Sequence, residues 1–217
     1  MCYNAKASAL AATIGVLSAC VAFYIKEPVL GFFIITYSLM QISEFCIWRG
    51  LDTDSFRWNR GGTALAATSL KLHALVVVGA LILFRWNRLK QNRAKLISLL
   101  AILVLTIILS LKELLVPIPS TTQPGCSKGC RLDWQFGASY PIQVVLICAT
   151  LFIGAPEIFI PVAIFYFGAL IAAIILSYFD PKTTLKTASS SIWCFFVAIF
   201  APLFVGYLWW KQNELKT

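Results

Sequence analysis

The sequence predicts an all-α integral membrane protein, a single domain over residues 1–217 built as a bundle of about seven transmembrane helices. Three observations carry that expectation. Hydrophobic residues make up 59% of the chain and charged residues only 12%, with a mean hydropathy of +0.82, which is more apolar surface than a soluble fold of this size could hide. The apolar residues come in runs of roughly 20, the length a helix needs to cross about 30 Å of hydrocarbon. Basic and tryptophan-bearing segments separate the runs, as the headgroup region favours.

In chain order the runs are 7–25, 29–48, 62–84, 96–116, 140–155, 158–179 and 189–210. The first contains Leu17-Ser18-Ala19-Cys20, the spelling of a lipoprotein cleavage box. Its only basic flank is Lys6 and the residues after Cys20 stay apolar, so a retained span is expected instead. The second ends at Trp48, and the third carries Lys71 and His73 near its middle. The fourth closes on Lys112 and Glu113, placed to snorkel to the interface. The fifth is the shortest, and only Ala155-Pro156-Glu157 parts it from the sixth, so six spans with a re-entrant segment is the alternative count. Pro161 and Pro202 remove backbone donors inside the sixth and seventh runs, where kinks are expected. Trp48, Trp86, Trp134, Trp193, Trp209 and Trp210 fall at or near span ends, as interfacial anchors would.

The formal charge of +9 arises from 18 Lys plus Arg against 9 Asp plus Glu. These cations cluster between apolar runs, above all Arg85, Arg88, Lys90, Arg93 and Lys95, a pattern that suits anionic lipid headgroups and not nucleic acid. That dense loop predicts a cytoplasmic face, with the N-terminus outside and the C-terminus inside, although over all loops Lys and Arg divide evenly between the sides. Cys2, Cys46, Cys126, Cys130 and Cys194 then lie on or near the outer face, where disulfides are permitted. Cys126-Ser-Lys-Gly-Cys130, in the long loop 117–139, has the spacing of a loop-stapling pair. No metal is expected, because no second Cys or His pair lies nearby and four ligands are usual.

Ionisable groups inside a membrane are costly and so mark candidate sites. In the second run Tyr37, Gln41, Glu44 and Trp48 recur at spacings of four, three and four, which aligns them on one helical stripe that should face the interior. Lys71 and His73 are two residues apart, about 200° around a helix, and cannot share one partner. Lys71 lies too deep to snorkel and is expected to pair with a carboxylate, Glu44 being the best placed. That pair has two readings, an ion pair that fixes helix register or part of a substrate or proton path. His73, the sole histidine, has a bland reading too, bonding a neighbour such as Ser69. Cys2, if Met1 is removed, would set a thiol beside a free amine, able to act as nucleophile or metal ligand; a disulfide or buried thiol is the alternative.

The start Met1-Cys2-Tyr3-Asn4-Ala5-Lys6-Ala7-Ser8 resembles the Met-Cys-Phe-Ser-Ala-x-Ala-Ser opening of a group of uncharacterised multi-pass membrane proteins of bacteria and large DNA viruses. Gln41, Glu44 and Trp48 resemble that group's Gln-x-x-Glu-x-x-x-Trp signature, and Ser191-Ile192-Trp193-Cys194 is similar to a late Ile-Trp-Cys segment. Tyr3 and Asn4 depart from the opening, and the likeness covers mainly the first 50 residues. It implies a site of Cys2, Gln41, Glu44 and Trp48, in a viral or host membrane, but it implies no reaction. A retinal protein is not expected, since no lysine lies between Ser189 and Trp210, and neither is a polyhistidine zinc hydrolase.

Two functional expectations follow. One is a bundle that binds or conducts a small ligand, ion or proton through a polar cavity in its outer half, with Tyr37, Gln41, Glu44, Trp48, Lys71, Trp193, Cys194 and His73 as its candidate residues. The other is a membrane-embedded enzyme acting on a lipid or thiol substrate, with Cys2 as nucleophile or metal ligand and Glu44 or His73 as base. Membrane lipids are the expected partners, a homo-oligomer is left open, and no cofactor is indicated.

Overall fold

The computed structural model describes residues 4–124, 132–133, 140–179 and 185–214, without the side chains of 133, 140, 169, 173, 176, 177, 179 and 185–199. These residues form seven α-helices, α1 (Ala5–Tyr24), α2 (Pro28–Asp52), α3 (Phe56–Leu89), α4 (Arg93–Leu114), α5 (Tyr140–Gly154), α6 (Pro156–Phe179) and α7 (Leu185–Glu214). Each coincides with one predicted run. The all-α expectation misses one feature, a two-residue antiparallel ladder between β1 (Gln123–Pro124) and β2 (Leu132–Asp133) in the long loop.

Local chemistry explains where the helices begin. Asn4 and Asn92 accept the backbone N–H groups of Ala7 (2.9 Å) and Lys95 (3.1 Å), capping α1 and α4. Pro28 and Pro156 open α2 and α6, where a missing N–H costs nothing. The α5–α6 break is a single residue: the Ala155 carbonyl accepts from Ile158 (2.9 Å) and Phe159 (3.1 Å), restarting the helix at once. The α1–α2 and α2–α3 turns pass through left-handed backbone at Lys26 (φ 62°) and Asp54 (φ 49°).

Successive helices run antiparallel. Gln143 reaches Ala74 and Gly154 abuts Leu81, so α5 runs parallel to α3. The Phe152 and Phe159 rings meet at 5.2 Å across the α5–α6 turn, and α6 returns beside α2. α2 is central, packed against α1, α3 and α7. The bundle therefore has a Trp48 end, where α2 finishes and α3 begins, and an Arg85 end, where α3 finishes. Helices α1 to α4 are long and apolar enough to cross a membrane; α5 and α6 contribute shorter apolar stretches. Pro161 and Pro202 lie inside α6 and α7, which continue through them.

The α2–α3 seam is the tightest in the bundle. A Cβ on Gly62 would lie 2.6 Å from the Ser43 carbonyl oxygen and 2.8 Å from Ile47, and one on Gly50 would lie 2.5 Å from the Asn59 nitrogen. Neighbouring Gly61 faces open space. Gly62→Val should therefore cost about 1–3 kcal/mol by forcing the helices apart, while Gly61→Ala should be neutral or slightly stabilising. Thermal unfolding of the purified variants checks the contrast.

Candidate functional site

The predicted stripe on α2 points inward. Gln41 is 0%, Glu44 3% and Trp48 8% exposed, and Tyr37 is likewise buried. Tyr37 sits edge-on to His73 with ring centroids 4.5 Å apart, and its hydroxyl donates to the Tyr166 hydroxyl. Phe33 and Phe165 enclose the pair, with centroids 5.0 and 5.2 Å from Tyr37. At the other end of the stripe Trp48 packs with Ile47, Ala66 and Leu132 of β2, and Ala5 of α1 lies against the same cluster. Trp48 is thus not an interfacial anchor. Its indole Nε1–H is buried and meets no acceptor among the described residues. The tryptophan omitted from the predicted anchors, Trp58, is exposed at this end.

Lys71 leaves the expected site. Its buried ammonium donates to the Val116 carbonyl (2.8 Å), and its own carbonyl accepts from Ser110 (3.0 Å), so it faces α4 and the loop beyond. The expected ion pair between Lys71 and Glu44 does not form; the ion pairs among the described residues are Arg85–Glu27 and Arg85–Glu157. Two geometric facts separate the groups. Gly62 lies against Ser43 and His73 against Tyr37, so the antiparallel register sets Lys71 near residues 37–39, about 9 Å along α2 from Glu44. The roughly 200° between Lys71 and His73 then turns Lys71 away from α2 altogether.

Other predicted residues can be placed only by backbone. Ala201 and Phe204 border Phe33, Ile34 and Tyr37, and Gln212 reaches Glu27, so positions 193 and 194 of α7 come level with Glu44. The side chains of Trp193 and Cys194, and Cys2, Cys126 and Cys130 entirely, lie outside the described residues. Cys20, Cys46 and Cys148 are free thiols. Among the described residues no cluster of His, Cys, Asp and Glu could hold a metal.

Three features were not foreseen. Arg85, expected in a free basic loop, lies within α3 and bridges Glu27 (2.8 Å) and Glu157 (3.0 Å), with Gln212 donating to Glu27 (3.1 Å). This cluster ties the α1–α2 turn, α3, α6 and α7 together. At the Trp48 end, Asn59 clamps the long loop: its Nδ2 donates to the Thr122 carbonyl and its Oδ1 accepts the Thr122 N–H, both at 2.8 Å. Thr63 adds a 2.8 Å hydroxyl contact to Thr122. Gln143, also buried, accepts from the Ala74 N–H (3.4 Å). A polar residue inside an apolar run was the available signal for Gln143, whereas Arg85 and Asn59 lie where polar residues are ordinary.

Among known proteins, no family model, no curated protein and no solved structure matches this chain. The chemistry of the site therefore rests on its geometry. From Trp48 through Glu44 and Gln41 to Tyr37, His73 and Tyr166, polar groups run about 16 Å along α2. Beyond Tyr37 the interior turns apolar: Phe33, Ile34, Phe165, Ala201 and Phe204 surround a cavity of about 10 Å³, room for one water at most. Toward the Arg85 end the polar run gives way to this apolar packing, and toward the Trp48 end it is covered by Ile47, Ala66 and Leu132.

The Arg85 cluster permits a graded test. Arg85→Gln leaves two carboxylates without their cation and should cost about 2 kcal/mol, discounted from the fully buried value because Glu157 is partly exposed. Glu157→Gln leaves Arg85 and Glu27 paired and should cost less than half of that. Thermal midpoints at low and high salt decide between them, and equal losses would mean that Arg85 does not organise the cluster.

Proposed function

We propose that this chain is an integral membrane protein that spans the bilayer with its seven helices, Arg85 end cytoplasmic, and binds a small cation or proton at Glu44. The observation that carries the reading is the pairing, one helical turn apart on α2, of a carboxylate and an indole N–H, both withdrawn from solvent inside an apolar bundle. A buried carboxylate is expensive unless its charge is matched, and a buried donor without an acceptor costs about 1–3 kcal/mol. Inside a membrane a carboxylate held at such cost marks an ion or proton site by default. The membrane setting is supported by α4, which leaves Ile97, Val104, Leu105, Ile108 and Leu111 exposed, far more contiguous apolar surface than a water-soluble monomer carries. Exposed Trp58 at one end and Trp86, Trp209 and Trp210 at the other fit two headgroup belts.

Binding is favoured over conduction because the aromatic plug around Phe33 and Phe165 ends the polar run partway through. Tyr37, His73 and Tyr166 form the floor of the site. Lys71 has no part in it and serves to fasten the end of α4 to α3.

The test uses ammonium, methylammonium and guanidinium as probes against equal sodium chloride. A probe at about ten times its dissociation constant adds roughly 1.4 kcal/mol and should raise the unfolding midpoint of the purified protein by about 3 °C. Glu44→Gln should abolish the rise, and Lys71→Met should keep it even if its starting midpoint falls. A shift of the same size in Glu44→Gln would remove the carboxylate from the site and the proposal with it.

A further inference from the structure

At the Trp48 end the seam between α2 and the first turns of α3 opens into a groove of about 320 Å³, lined by Cys46, Arg57, Trp58, Gly61 and Gly62. We propose that this groove binds the phosphodiester headgroup of an anionic membrane lipid, an inference that rests on the membrane-spanning reading above. The Arg57 side chain is exposed and makes no hydrogen bond or ion pair among the described residues, so its guanidinium is available to grip two phosphate oxygens at once.

The backbone adds to this charge. Ser55, the residue preceding α3, makes no side-chain cap, and the first turn holds no acidic residue, which leaves its N–H groups and the positive end of the helix dipole unanswered. Gly61, with open space where a Cβ would stand, lets a headgroup approach the helix backbone. Asp52 and Asp54 of the preceding turn are exposed and do not line the groove.

Depth decides in favour of a lipid over another anion. α3 has 34 residues, and its strongly apolar part begins only after Gly62, so the groove lies at headgroup level, where the half-exposed Trp58 ring sits against Phe45 (centroids 6.2 Å apart). A lipid phosphate reaches that level already attached to the bilayer. Cys46, at the groove wall, is the contact that a bound headgroup would cover.

The experiment is native mass spectrometry of the full-length protein with equal phosphatidylglycerol and phosphatidylcholine. One phosphate-gripping arginine near a membrane is worth about 1 kcal/mol, hence a preference for the anionic lipid of roughly fivefold. Arg57→Gln should bring the ratio close to parity, Gly61→Leu should lower it by filling the groove, and Arg93→Gln at the opposite end should leave it unchanged. The proposal is overturned if Arg57→Gln keeps the preference, if Arg93→Gln removes it equally, or if millimolar inorganic phosphate displaces the lipid. Extraction of cell membranes with alkaline carbonate separates the two readings. Release of the protein would sink both the membrane assignment and the lipid site, whereas retention without a lipid preference would sink the lipid site alone.

Discussion

Gly50 and Gly62 let α2 and α3 approach until the backbone of one touches the other, at 2.5–2.6 Å from where a Cβ would stand. A seam that close fixes the level of every residue on either side, because a slip along the axis would drive a side chain into a glycine gap. The level so fixed sets His73 beside Tyr37 and leaves small residues, Thr63, Ala66 and Ala67, opposite the Gln41–Trp48 stretch. α6 and α7 then close over the same face of α2, bringing Tyr166 and Phe165 onto Tyr37. The polar run and its aromatic floor both follow from where two glycines admit the neighbouring helix.

Buried polar groups in this bundle are sorted by which helix can reach them. Lys71 turns to α4, where the carbonyls past the last helical turn lack intrahelical donors, and an ammonium there is favoured both as a donor and by the helix dipole. Trp48 instead packs among Ile47, Ala66 and Leu132, with Ala5 of α1 beside them. Opposite charges two turns apart on neighbouring helices thus belong to unrelated environments. In a low-dielectric interior each must be answered at contact distance, and proximity in the sequence map is no substitute.

The two ends of the bundle are held by different chemistry. At the Arg85 end one guanidinium joins carboxylates from a turn and a helix start, with an amide from α7, so four elements share one cation. At the Trp48 end the amide of Asn59 pairs with the backbone of Thr122 as a neighbouring strand would, and Leu132 covers Trp48. The first arrangement fastens four elements with one cation. The second holds part of the long loop over the Trp48 end of the polar run.

The helical class, all seven helix positions and the inward stripe of Tyr37, Gln41, Glu44 and Trp48 could be read from the sequence, because run length and a 3.6-residue period are local properties. The mutual avoidance of Lys71 and His73 was legible for the same reason. What only the tertiary structure decided were the partners: Val116 for Lys71, Tyr166 for Tyr37, two carboxylates for Arg85, and a buried berth for Trp48 in place of a headgroup one. Partner choice depends on the level and rotation at which separate helices meet, and those are set by contacts between residues tens of positions apart, such as Gly62 with Ser43, that no local pattern records.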